Sequence, residues 1–375
     1  METDRFDDLR PYEDSEIPDA MQRIVNDPYF FLVAHFLFPH QLIPELQQLM
    51  LRVRTVDQVQ VQVMHPIIQS IVAKTMAEFT FDGIQYLNPQ QSYLYVSNHR
   101  DIVLDSFLLQ YALFLNSIPT SEITFGDNLM MNQFVIDIGK SNKMFKVIRQ
   151  KKDLREFLKN SQRLSAYIRY TLTQKKTSIW IAQRGGRTKD GNDLTDQGLI
   201  KMFGMSGGKD LATSFEQLHI VPIAISYEHE PCDLMKIKEI YRTAQNGEYV
   251  KAKDEDLKSI VTGLTQSKGK VHISICPPVT RDDLEGIFLS HPHEFHKGLA
   301  SLMDRRIHHA YRLYPNNYIA YDLRSGSLTF NKFYTPEDEN IFRQKISMLG
   351  TLEGDKETLY KLLFDLYANP VSNAR

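Results

Sequence analysis

The sequence predicts an α/β fold, a central mixed sheet flanked by helices, with helical additions before and after it. Two observations carry the prediction. From Phe81 to Ile275, short runs of β-branched, aromatic and aliphatic residues alternate with stretches of helical periodicity, which is how strands joined by covering helices read. On either side of that region, helical spacing recurs without strand-like runs. The chain accordingly divides into an N-terminal helical region at 1–80, an α/β domain at 81–280 and a C-terminal helical region at 281–375.

In the first region, Leu42, Leu46 and Leu49 recur around Pro44, and Ile67, Ile68, Ile71, Val72, Thr75 and Met76 follow Pro66 at helical spacing. Pro44 suits a first helical turn, and Pro39 and Pro66 mark breaks. The most apolar window, Tyr29 to Pro39, carries His35 and falls short of the roughly 18 apolar residues that a bilayer span needs. Its Phe30, Phe31, Leu32, Phe36 and Phe38 read as core packing because nothing basic flanks them; a membrane-contacting face is the alternative.

Strand character follows at Ile84–Leu87, Tyr93–Val96, Ile123–Phe125, Phe145–Ile148, Ser178–Ala182, His219–Tyr227 and Val271–Ile275, and helices are expected at Leu104–Leu115, Asn128–Ile138, Asp153–Thr173 and Gly198–Met205. The helix from Asp153 has the clearest pattern. Leu154, Phe157, Leu158, Leu164, Tyr167, Ile168 and Leu172 form one stripe, while Arg155, Lys159, Arg163 and Arg169 face elsewhere. Beyond Pro278, the run Thr335-Pro336-Glu337-Asp338 starts a helix and Asp355–Ala368 forms a last one.

Composition narrows the function classes. The chain has 375 residues, 42% of them hydrophobic, which supports a sizeable core. The first fifteen residues lack the basic and apolar segments of a signal peptide, and Cys232 and Cys276 are the only cysteines, so a reducing cytoplasm is expected. A net charge of -2 conceals fifteen Lys and Arg against two acids between Lys140 and Lys189. That region is built to meet anions: nucleic acid, anionic lipid headgroups or a phosphorylated small molecule. Nucleic acid is the least suited, because no nucleic-acid-binding module accompanies the charge.

The polar residues that carry chemistry fall just after strands, where ligands collect in open α/β sheets. Asn98, His99, Arg100 and Asp101 occupy the corner between the strand at Tyr93–Val96 and the helix from Leu104. An imidazole there suits a general base whose second ring nitrogen is held by a carboxylate, with Asp105 and Asp101 as the two candidates. Phe145–Arg149 places a guanidinium at a strand end, a geometry suited to phosphate. In Ile179–Asp193, IWIAQRGGRTKDGND, Gly185 and Gly186 let the backbone approach a ligand, and Arg184, Arg187 and Lys189 supply positive charge. Val221–Ser226, VPIAIS, is an apolar strand that starts at a proline. His291, His293, His296, His308 and His309 lack the Cys or paired carboxylates of a metal site, and none is expected. No Walker loop, dinucleotide fingerprint or Gly-x-Ser-x-Gly elbow is present.

In this order and spacing the four elements resemble the four motif blocks of the glycerolipid acyltransferases, the family that acylates glycerol-3-phosphate and lysophosphatidic acid. The resemblance covers about Phe81 to Ser226: Asn98 and His99 match the first block, Phe145, Ile148 and Arg149 the second, Gly186 and Arg187 the third, Val221 and Pro222 the fourth. The wording NHRDIVLDS, GRTKDGND and GLIKM is similar to a bacterial branch of the family. The resemblance implies a glycerol-3-phosphate acyltransferase-like fold. It also implies acyl transfer from a thioester, of coenzyme A or acyl carrier protein as co-substrate, to a hydroxyl of glycerol-3-phosphate or a lysophospholipid, in phospholipid biosynthesis and with no bound cofactor. His99 would be the base, Asp105 or Asp101 its partner, and Asn98, Arg100, Arg149, Arg184, Gly186 and Arg187 would bind substrate. The expected partners are an anionic membrane surface and the acyl donor, with the protein peripheral on the cytoplasmic face. Two positions depart from the pattern: Leu104 stands where an aspartate is expected, one residue before Asp105, and Gly185 stands where a glutamate is expected. They motivate the alternative of a catalytically impaired lipid-binding protein on the same fold.

Overall fold

The computed structural model describes residues 6–37, 42–148, 153–252, 254–290 and 293–375. Its strands are β1 (Met76–Asp82), β2 (Leu94–Ser97), β3 (Glu122–Gly126), β4 (Met144–Val147), β5 (Ile179–Ala182), β6 (Ile220–Tyr227) and β7 (Gly269–Ile275). Ahead of β1 come α1 (Ile17–Asn26), α2 (Pro28–Leu37), α3 (Ile43–Arg52), the short α4 (Val56–Gln58), a π-helical turn (Val59–Met64) and α5 (His65–Thr75). Between the strands lie α6 (Leu104–Leu115), α7 (Gln133–Ser141), α8 (Leu154–Thr173), α9 (Gln197–Gly204), α10 (Leu211–Glu216), α11 (Asp233–Asn246) and α12 (Glu255–Thr265). After β7 follow α13 (Arg281–Ser290), α14 (Phe295–Ala310), α15 (Pro315–Ser325), α16 (Pro336–Met348) and α17 (Lys356–Asn373).

Among the described residues the strands form one seven-stranded sheet in the order β1-β7-β6-β2-β5-β3-β4. The run from β6 to β4 is parallel throughout, whereas β7 lies antiparallel to β6 and takes β1 as a parallel partner, so the sheet is mixed as expected. Strand alternation sends side chains to two faces. Leu94, Val96, Ile179, Ile181 and Ile220 pack on one side against α8, α9, α10 and α14. Tyr95, Trp180, Val221, Ile223 and Ile225 pack on the other against α5 and α6. Both faces being covered explains why the central strands read as unbroken apolar runs.

The outlying helices pack on helices that connect the strands. Ile17, Met21, Ile24 and Val25 of α1 share a cluster with Phe134 of α7, and α15, α16 and α17 pack against Ile237 of α11. Two expectations need correction. The strand expected at Ile84–Leu87 is a single 3-10 turn, and β1 runs instead over Met76–Asp82, across residues read as helical. At its start Met76 follows the helical stripe of α5 directly, which hides the change of period. The helix expected at Asn128–Ile138 begins at Gln133, capped by the Asn132 side chain on Val135 N.

Candidate active site

The corner between β2 and α6 is built from its own side chains. Asp101 Oδ1 accepts from Val103 N (2.9 Å) and Leu104 N (2.8 Å), so Asp101 starts α6 in the manner of an N-terminal cap. With the helix beginning at Leu104, that leucine turns into the core and Asp105 falls in the first turn, facing back over the corner. The one-residue displacement of the aspartate is absorbed in this way.

Four donors converge on the Asp105 carboxylate, which is fully buried. Oδ2 accepts from Arg100 N (2.7 Å) and Asp101 N (2.9 Å) and lies 2.9 Å from His99 Nδ1; Oδ1 accepts from Tyr227 OH (2.9 Å). Burial, reinforced by the nearby carboxylates, keeps the Tyr227 phenol protonated far above its usual range, so it remains a donor. Because Asp105 accepts at Nδ1, the neutral imidazole carries its proton there and Nε2 is left as the base. His99 is 7% exposed and meets the Trp180 ring edge-on at 6.2 Å between centroids. Trp180 is fixed in turn by donating Nε1–H to Ser97 Oγ at 3.1 Å.

Of the two candidate carboxylates, Asp105 is the one on the imidazole. Asp101 is buried beside it, and its Oδ2 has no hydrogen-bond partner among the described residues. Burial first, and then the charge of Asp105, raise its pKa above the ordinary carboxylate value.

Asn98 and Arg100, expected to bind substrate, are turned inward. Asn98 clips the corner to β6, accepting from Ile225 N (2.8 Å) and donating to Ile225 O (3.0 Å) and Asp193 Oδ2 (3.1 Å). Arg100 is 1% exposed and donates to Asp193 Oδ2 (2.5 Å) and Glu230 Oε2 (3.0 Å), with its guanidinium 4.9 Å from the centre of the Tyr311 ring. Lys236 Nζ completes the cluster on Glu230 Oε1 and Arg100 O, both at 2.6 Å. Tyr367 of α17 accepts from Glu230 N and donates to Asp233 Oδ2, both at 2.9 Å, which ties the C-terminal helix to the site. The physical reason for the correction is charge balance: two buried carboxylates need buried cations, and Arg100 and Lys236 supply them.

The glycine-rich loop after β5 is held at the same corner, since Thr188 N donates to His99 O at 2.8 Å. Arg187, the residue before Thr188, is half-buried, with Nη1 lacking a hydrogen-bond partner among the described residues. Arg184 is also half-buried. Gly186 has φ +82°, a left-handed conformation that a side chain would strain; Gly185 has no such strain, and a Cβ there would meet none of the described residues within 4 Å. Arg149 of the second block lies outside the described residues, as do Phe38 and His291. His308, singled out in the sequence only as an unsuited metal ligand, has its Nε2 2.5 Å from Asp193 O.

Tyr227, Trp180, Asp193, Glu230 and Lys236 were not legible as site residues in the sequence. Only strand position offered a signal: Tyr227 ends β6 on the face shared by Trp180.

The sequence profile of the family described as Acyltransferase matches residues 78–226. No curated protein matches the chain. Among solved structures, the 1-acyl-sn-glycerophosphate (LPA) acyltransferase PlsC from Thermotoga maritima is similar over 78% of this chain and 93% of its own, at 14% identity and a TM-score of 0.35, a likeness too loose to support an argument. The profile spans β1 to β6, and so takes in the His99 corner, the loop after β5 and the strand that supplies Tyr227 up to its penultimate residue. Residues 78–226, less than half of the chain, are similar to the Acyltransferase family, and they are the stretch that carries the four motif blocks.

Proposed function

We propose that this acyltransferase moves a fatty acyl group from a thioester of coenzyme A or acyl carrier protein to a hydroxyl of glycerol-3-phosphate or a lysophospholipid, as a step of phospholipid synthesis at a membrane surface. The observation that carries this reading is the His99–Asp105 pair, 2.9 Å apart at the carboxyl end of the sheet within the stretch matched by the family. His99 Nε2 takes the proton as the acceptor hydroxyl attacks the thioester carbonyl. The tetrahedral intermediate then collapses, the carbon–sulfur bond breaks, and the thiolate leaves with the proton returned by His99. Asp105 stabilises the transient imidazolium across the Nδ1 hydrogen bond, and Tyr227 with two backbone amides fixes the carboxylate. Arg184 and Arg187, with Arg149 from the second block, bind the acceptor phosphate.

A peripheral location on the cytoplasmic face suits the reading, and among the described residues no helix is long and apolar enough to cross a membrane. A catalytically impaired lipid-binding protein is the second reading, favoured by the missing carboxylate at Gly185. The test is thiol release from acyl-coenzyme A and acyl carrier protein, measured with and without glycerol-3-phosphate and lysophosphatidic acid. Acceptor-dependent release supports acyl transfer; lipid binding without release under any pairing supports the second reading.

A further inference from the structure

The helix between β4 and β5 is too long for the sheet that it covers. α8 has 20 residues, about 30 Å, whereas β4 and β5 have four each, about 13 Å. Its burial divides accordingly. Ser165, Tyr167, Ile168, Thr171 and Leu172 in the second half are buried, while in the first two turns Leu154 is 71% exposed, Leu158 is 46% exposed, and Arg155, Glu156 and Lys159 are exposed with them. A crossover helix starts at the carboxyl end of one strand and returns to the amino end of the next. The bare turns therefore project at the carboxyl end of the sheet, the end at which β2 delivers His99.

The apolar stripe continues where burial stops. Leu154, Phe157 and Leu158 lie on the helix face that carries Leu164, Ile168 and Leu172 further along. Arg155 and Lys159, one turn apart, run beside that stripe, and no carboxylate among the described residues pairs with either. Leucines on a projecting turn, beside two cations held in no ion pair among the described residues and with Glu156 on the helix's remaining face, complement a surface that is apolar beneath and anionic on top.

We propose that the first two turns of α8 dock the protein on an anionic lipid bilayer, with Leu154 and Leu158 at the acyl boundary and Arg155 and Lys159 at the phosphates. The His99 end of the sheet then faces the lipid. This deepens the acyltransferase reading and rests on it, since docking at that end brings a lipid acceptor to the base. The contrasting surface is α2, whose Tyr29, Phe31, Leu32 and Val33 are exposed but which contains no Lys or Arg.

The test uses the full chain and vesicles of phosphatidylcholine with or without phosphatidylglycerol, at low and high salt. Turnover is followed in parallel with a monomeric water-soluble acceptor. Wild type should bind only the vesicles with phosphatidylglycerol and be released by salt. Leu154→Asp with Leu158→Asp should lose at least about tenfold in vesicle affinity, and Arg155→Ala with Lys159→Ala roughly thirtyfold. Soluble turnover and melting temperature should be unchanged in both. Vesicle binding that survives both double variants overturns the proposal. So does binding that ignores lipid charge and falls on Leu32→Asp in α2, or an effect of Arg155→Ala with Lys159→Ala confined to donors on acyl carrier protein. Vesicle binding as expected without turnover on any acceptor supports the docking surface and overturns the acyltransferase reading alone.

Discussion

Replacing Asp105 by Asn isolates the charge on the carboxylate from its geometry. Three donors point at Oδ2, the His99 ring and the amides of Arg100 and Asp101, while the Tyr227 hydroxyl alone meets Oδ1. An Asn amide therefore keeps its oxygen toward the three donors and turns its NH2 to Tyr227, whose hydroxyl oxygen can accept. The imidazole stays where it is and keeps its proton on Nδ1. What is lost is stabilisation of the imidazolium formed as the hydroxyl attacks. A unit charge pair at the observed 2.9 Å is worth about 6 kcal/mol at an effective dielectric of about 20. The lower bound is the gap between a charge-assisted and a neutral hydrogen bond, about 1.5 kcal/mol. The maximal rate should therefore fall between about tenfold and about 10⁴-fold, with the KM of either substrate little changed. Asp105→Ala is a poorer probe, because it strands three buried donors besides the imidazole at roughly 1 to 3 kcal/mol each. That total approaches the whole stability of a domain, about 5 to 15 kcal/mol. The assay is steady-state thiol release beside a thermal melt. An Asp105→Asn protein of unchanged melting temperature and a rate within about threefold of wild type would refute the reasoning, since tenfold is the smallest loss it allows.

Three further outcomes follow from the same geometry. Asp101→Asn keeps the cap on α6 and removes a carboxyl whose proton the native state holds to higher pH than the unfolded chain. Over that window the native state binds more protons, so the wild type loses stability as pH rises through it. The variant should therefore gain melting temperature at neutral pH and little in acid, with activity retained; an equal gain at both would contradict the assignment. Arg100→Ala should leave Asp193 and Glu230 buried without that cation, cost roughly 3 to 5 kcal/mol, and appear as lost melting temperature; a KM effect alone would return Arg100 to the substrate. Gly186→Ala should destabilise by about 1 kcal/mol because of its left-handed backbone, whereas Gly185→Glu should melt with wild type, as the space beyond Gly185 is open.

The sequence carried the sheet well and its edge badly. β2, β5 and β6 are covered on both faces, so their apolar runs are continuous and their bounds are read within a residue or two. β1 is an edge strand of mixed burial that follows α5 without a break, and nothing in its composition separates it from that helix. At the site, His99 and both candidate aspartates were legible because a polar cluster between a strand and a helix is local. The choice between the aspartates depended on where α6 begins, which the Asp101 cap decides. Arg100 was misread for a different reason. Its partners Asp193 and Glu230 lie 93 and 130 residues away, and no local pattern tells a buried cation from one that awaits a ligand.

The measurement closest to the central claim is acyl transfer by His99→Ala, with donor and acceptor both saturating and the melting temperature recorded on the same preparation. The imidazole donates one hydrogen bond and packs edge-on against Trp180, so its removal should leave the fold intact. With His99 as the base that takes the hydroxyl proton, the rate should fall by about 10²- to 10⁴-fold. A folded His99→Ala protein that transfers acyl groups at the wild-type rate would contradict the account, because the hydroxyl proton would then be taken by a group other than His99.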